Sequence, residues 1–186
     1  FLIIWFAQLY QHVADARQRT GAGDRDFEAD TLAVSELARS TGVLAPIFAL
    51  ENRNNHIRSL AAFHESFDCL LTPTLATPPL RVGATATPRP LQRAARIASK
   101  VRAGKLLALS GILDQLVRES LGWVPYTQLA NITGRPAISV PLHWTDAGLP
   151  LGVQFVGRLG ADGDLLQLAA QLEEAAPWAH RYPAPA

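Results

Sequence analysis

His64 and Glu65 begin the pattern His-Glu-x-x-His, which on a helix sets two imidazoles one turn apart to hold zinc while the glutamate takes a proton from metal-bound water. Here the fourth residue after His64 is Asp68, and His12, His56, His143 and His180 are scattered along the chain. These histidines read as surface or core side chains, and no metal site is expected. A serine becomes a nucleophile only when a base takes its proton. Ser139 sits in an apolar run with no base beside it, and reads as a small buried hydroxyl bonded to backbone. Lys100 and Lys105, the only lysines, fall in a run of positive charge typical of a solvated helix face. No Gly-x-Ser-x-Gly elbow and no Gly-x-x-x-x-Gly-Lys-Ser/Thr loop is present. Gly21 and Gly23 lack the third glycine of a dinucleotide fingerprint and follow a helical pattern rather than a strand. Cys69 is the single cysteine, so neither a disulfide framework nor a cysteine zinc cluster can form within the chain. No catalytic residue and no cofactor are expected from these residues.

The apolar spacing outlines the elements that must carry them. Residues 1 to about 19 predict a helix whose stripe continues through Leu9, Val13 and Ala16. Asp30 and Thr31 precede a second helical pattern through Leu32, Leu37 and Ala38, closed by Gly42. A third runs from about Ala45 to Phe67, with Ile47, Leu50, Ile57, Leu60, Ala61 and Phe67 at helical spacing. Cys69-Leu70-Leu71 predicts a buried strand, and Thr72 to Pro90 a long proline-rich loop of the kind that is often functional. Residues 91 to about 118 return to helix, with Arg93, Arg96, Lys100, Arg102 and Lys105 on a solvated face. Ala137–Leu142 and Leu151–Val156 predict two strands of an antiparallel hairpin, turning at Asp146-Ala147-Gly148. Asp162 is placed to cap a last helix with Leu165, Leu166, Ala169 and Leu172 facing inward, ended by Pro177. Four zones result: 1–67 helical, 68–90 strand and loop, 91–135 helical, 136–186 hairpin plus C-terminal helix.

Composition narrows the class. The chain has 186 residues, 48% hydrophobic and 18% charged, which is the range of a folded globular protein. A net charge of +1 offers no field for nucleic acid. The apolar stretch Phe1–Ala7 is far short of the roughly 20 residues that span a bilayer, and it lacks the flanks of a signal peptide. Methionine is absent and the chain starts at Phe1, so we expect a piece of a longer protein.

Three collinear segments then carry a resemblance. FDCLLTPTLATPP (Phe67–Pro79), PYTQLANITGRPAISVPL (Pro125–Leu142) and GLPLGVQFVGRLGADGDLLQLAAQLE (Gly148–Glu173) are similar, in order and spacing, to the C-terminal region of the amidase signature family. The similarity covers most of residues 44–178. It implies an α/β fold, a mixed sheet covered by helices, and the hydrolysis of carboxamides. In that family one serine attacks the carbonyl while a second relays protons to a buried neutral lysine, a base that burial makes possible by lowering its pKa. Backbone N–H groups of a Gly-Gly-Ser-Ser-Gly-type segment hold the oxyanion. That segment lies in the N-terminal half of such proteins, and no Gly-Ser-Ser occurs here.

The resemblance therefore implies that residues 1–186 are the C-terminal portion of one amidase domain, inactive alone, whose parent acts on a small-molecule amide. It sets Asn131–Gly134 beside the serines and makes Trp123, Tyr126 and Thr127 candidate substrate contacts. It also implies a cytoplasmic protein able to form a homodimer, with no membrane or nucleic-acid partner. Two rivals stand beside it: a non-catalytic binding or scaffold protein derived from an amidase, and an amidotransferase A-type subunit. The amidotransferase branch has an aspartate where this chain has Val124.

Overall fold

The computed structural model describes residues 1–105 and 121–181. The elements, in chain order, are α1 (Leu2–Thr20), α2 (Ala29–Thr41), α3 (Leu44–Phe63), β1 (Cys69–Pro73), α4 (Arg89–Lys100), α5 (Thr127–Thr133), β2 (Ala137–Trp144), β3 (Pro150–Gly157) and α6 (Asp162–Ala175). Two compact units emerge: Phe1–Asn52 with Val82–Ser120, and Arg53–Arg81 with Leu121–Ala186. Among the described residues no single helix is long and apolar enough to cross a membrane.

The first unit is helical. Phe6 and Val13 of α1 and Leu32 and Leu37 of α2 are buried on one stripe each, as helical spacing requires. Helix α2 packs against both α1 and α4. Thr87 Oγ1 donates to Asp30 at 2.8 Å, tying the approach to α4 onto the first turn of α2. The expected solvated face of α4 needs one correction. Arg96 turns inward and donates to the carbonyls of Asp24 (2.8 Å) and Phe27 (3.1 Å), because the loop before α2 leaves those acceptors without helical partners. The helix ends at Lys100, where Val101 closes it and Arg102 takes a positive φ of 55°. The expected continuation over 106–118 lies outside the described residues.

Glu36 is buried in α2, and Arg39, one turn on, grips both its carboxylate oxygens at 2.8 and 2.7 Å. The Gly104 N–H donates to the same carboxylate at 3.2 Å. Hydrogen bonding to Arg39 holds the Glu36 carboxyl below the usual carboxylate range. Burial opposes this, while the Gly104 N–H and the charges of Arg39 and Arg102 add to the lowering. The same contact raises the Arg39 guanidinium above its already high value.

The second unit holds the sheet, in the order β1-β3-β2. All described strands pair antiparallel, so the parallel part of an expected mixed sheet is not among them. Prolines fall where strand chemistry tolerates them: Pro73 and Pro141 on the two edge strands, Pro150 at the start of β3. Beside Pro141, β2 carries a bulge that leaves Leu142 out of register. Thr145 closes the hairpin as its N–H bonds the Leu149 carbonyl at 2.9 Å, with Gly148 at φ 76° as its turn chemistry demands.

Each sheet face has its own cover. Val140 and Phe155 pack with Leu165 of α6, joined by Leu168, Ala169, Leu172 and Trp178. On the opposite face Val156 packs with Leu60 and Ala130, flanked by Phe63, Leu70 and Leu129. Helix α6 begins one residue before its expected cap: Ala161 is the N-cap and Asp162 already lies in the first turn, beside Asp164. Both acids still face the positive end of the helix. Leu166 is also not inward; it is 64% exposed, because it lies a hundred degrees round the helix from Leu165.

Candidate functional site

Antiparallel register puts Thr72, Gln154 and Ser139 side by side, since Thr72 and Ser139 both pair with Gln154. The three share the sheet face that α6 does not cover. Gln154 is buried and its amide donates to Thr72 Oγ1 (3.2 Å) and to the Tyr126 carbonyl (3.4 Å). Thr74, just beyond β1, is bonded through its N–H to the Gly152 carbonyl at 2.9 Å, and its hydroxyl meets that of Ser139 at 2.5 Å. Gly152 is what lets them meet. A Cβ there would overlap Ser139 Oγ and Thr74 Oγ1, so the close approach requires a residue without a side chain.

Ser139 thus differs from its expected place. It is exposed rather than buried, and its partner is a threonine hydroxyl rather than backbone. The alternation of β2 turns it away from the α6 side, toward a face with room for solvent. A hydroxyl bonded to another hydroxyl has no proton acceptor strong enough to activate it. His64, the start of the broken zinc pattern, is a core residue whose Nδ1–H donates to the Phe67 carbonyl at 3.0 Å. No group of three His, Cys, Asp or Glu side chains gathers among the described residues.

Helix α5 borders an open cleft of about 790 Å³, lined by Thr127, Asn131, Gly134, Arg135, Gln154 and Asp162 among others. Gly134 ends the helix in the left-handed region, φ 66°, with its N–H on the Ala130 carbonyl. That cap turns the chain from α5 into β2 within three residues, so the helix and the strand that follows share one cleft. Asn131 donates to the Thr127 carbonyl at 2.9 Å, and Thr127 Oγ1 donates to the Val124 carbonyl at 3.2 Å.

The three residues expected to touch substrate fall in different settings. Thr127 lines the cleft. Tyr126, at the N-cap of α5, is 42% exposed and absent from the cleft lining. Trp123 is half-buried, and its carbonyl accepts the Ala76 N–H at 2.9 Å, which pins the proline-rich loop to the segment before α5. Its indole N–H is buried without a partner among the described residues. Gln154 escaped the reading of the residues as a site member. Its only sequence signal was a polar residue alternating with Val153 and Phe155, which could equally have marked a solvated face.

With this geometry in view, the comparisons are decisive. A family model described as Amidase matches residues 24–166, which include α5 and all three strands. The chain belongs to the amidase signature family. Among amidase relatives, a Mycobacterium leprae protein named as an amidase (AmiC) is 38% identical over 122 residues, 66% of this chain and 21% of that protein. One from Mycobacterium bovis (AmiB2) is 32% identical over 185 residues, 96% of this chain and 34% of that protein. The solved structure of 6-aminohexanoate cyclic dimer hydrolase superposes with a TM-score of 0.73 at 22% identity, covering 96% of this chain and 34% of that one. At that identity the likeness is one of fold. The chain spans about a third or less of the length of these relatives.

Proposed function

We propose that this chain is the C-terminal part of an amidase that hydrolyses carboxamides, with the attacking serine, the relaying serine and the lysine base outside residues 1–186. The match to the Amidase model over residues 24–166 carries the reading. The cleft beside α5 supports it in kind. It offers the Thr127 hydroxyl and the Asn131 and Gln154 side-chain amides, which can orient an amide's N–H and C=O, and that hydroxyl is bonded to the Val124 carbonyl rather than to a base. In this reading Thr127 lines the cleft, while Tyr126 and Trp123, outside its lining in residues 1–186, wall the acyl side of the parent's completed pocket, the aromatics favouring flat or apolar acyl groups by burying their surface. The substrate is a small-molecule amide; one structural neighbour is solved with its substrate bound.

Two expressed lengths of the gene test it. Residues 1–186 alone should not turn over benzamide or anilides above buffer. A product extended upstream through a Gly-Ser-Ser segment should, and Tyr126→Ala in it should weaken kcat/KM for aryl amides by roughly 1–3 kcal/mol, with a smaller loss on acetamide. Turnover by residues 1–186 that vanishes on changing Lys100, Lys105 or Ser139 to alanine would place the chemistry inside this chain and overturn the reading. Equal losses across acyl sizes would make Tyr126 a packing residue.

A further inference from the structure

Helices α1, α2 and α4 of the helical unit border two partly open cavities, of about 380 and 460 Å³, whose linings share Asp24, Leu32 and Lys100. Their charge is one-sided. Arg17, Arg25, Arg39, Arg96, Lys100 and Arg102 reach them, against only Asp24 and Glu36 among the described residues. The chain as a whole is nearly balanced, with 17 basic and 16 acidic side chains, so this imbalance is local.

Neither acid is left to neutralise the rest. Asp24 is held by Arg17 at 2.5 Å, and Glu36 is gripped by Arg39 through two bonds. Arg96 gives its hydrogen bonds to backbone carbonyls, which satisfy donors without cancelling charge. Lys100 and Arg102 are exposed and make no ion pair among the described residues, although Arg102 helps hold Glu36 ionised. Arg39 is fixed by the buried Glu36 through Nε and Nη2, so its remaining N–H donors keep a set direction. A fixed guanidinium beside two unpaired cations, in a concave wall that focuses their field, is an anion receptor by its physics.

We propose that this cavity binds a small molecule through a phosphate or carboxylate group, held by Lys100 and Arg102 with Arg39 behind them. Tyr10, Val13 and Leu32 supply apolar wall for the body that carries the anion. The proposal goes beyond amide hydrolysis and does not depend on it.

Calorimetric titration of residues 1–186 with inorganic phosphate and with malonate, against sodium chloride at matched ionic strength, tests it. Saturable binding in the millimolar range or tighter is expected. Lys100→Gln and Arg102→Gln should each weaken it several-fold, and together by about tenfold or more. Arg19→Gln, on a surface arginine paired with Asp15, should change nothing. The charge-keeping Lys100→Arg and Arg102→Lys variants should retain most of the affinity, which separates loss of charge from loss of fold. Tighter phosphate assigns a phosphate-bearing ligand, and tighter malonate a carboxylate. Heats equal to those of sodium chloride, or affinity unchanged in the Gln double variant, would overturn the proposal.

Discussion

Gly152 and Glu36 show how much one residue decides here. The hydroxyls of Ser139 and Thr74 meet over Gly152 because nothing projects from it. Gly152→Ala should therefore destabilise by about 1–3 kcal/mol in urea unfolding, the range of an overpacked site, and adding Ser139→Ala should recover part of that. An unchanged midpoint for Gly152→Ala would mean that the strands shift apart at no cost. Glu36 makes a prediction in pH. Its carboxyl is held below the ordinary range in the folded chain, chiefly by Arg39, so its stabilisation is present above the unfolded pKa and is lost as pH falls through the folded value. Glu36→Gln should lower Tm by a constant few degrees above roughly pH 5, and the gap to wild type should narrow progressively as pH falls below the ordinary carboxylate value of about 4. A gap that persists undiminished at pH 3 would show that shape, not charge, is what Gln fails to supply.

At the scale of elements, α6 covers one sheet face through a narrow stripe. Leu165 is 5% exposed and sits against Val140 and Phe155, while its neighbour Leu166 is 64% exposed. Leu165→Ala should cost roughly 2–5 kcal/mol in chemical denaturation, the range for a deleted core leucine. Leu166→Ala should stay within about 0.5 kcal/mol. Similar costs at the two positions would mean that α6 is rotated from the orientation described. The helix itself was plain from leucine spacing and from Pro177 beyond it. Which of two adjacent leucines faces the sheet was not, because a helical period admits either phase until the sheet selects one. The hairpin was equally plain from its turn and alternation. Its third strand, β1, pairs with β3 across more than eighty residues of chain, and no local pattern sets that register.

At the scale of the molecule, several large apolar side chains remain exposed on the described surface. Val43, Leu44, Ile47 and Phe48 at the start of α3 are 76, 67, 46 and 63% exposed. Surfaces of that kind associate. Purified residues 1–186 should bind an apolar-surface dye and show concentration-dependent association by sedimentation, and Ile47→Gln with Phe48→Gln should reduce both. A monodisperse monomer without dye binding would refute this. The amino-acid sequence alone located most of the described helices and strands, the family through three collinear motifs, and the lack of a Gly-Ser-Ser segment. These are properties of neighbouring residues or of matching strings. Only the tertiary structure decided that Gln154 stands between Thr72 and Ser139, that Ser139 meets Thr74, that Arg96 turns inward, and that positive charge gathers around α2. The reason is physical: local spacing sets which face of an element is apolar, but strand register and helix phase follow from the surfaces that distant segments bury against each other.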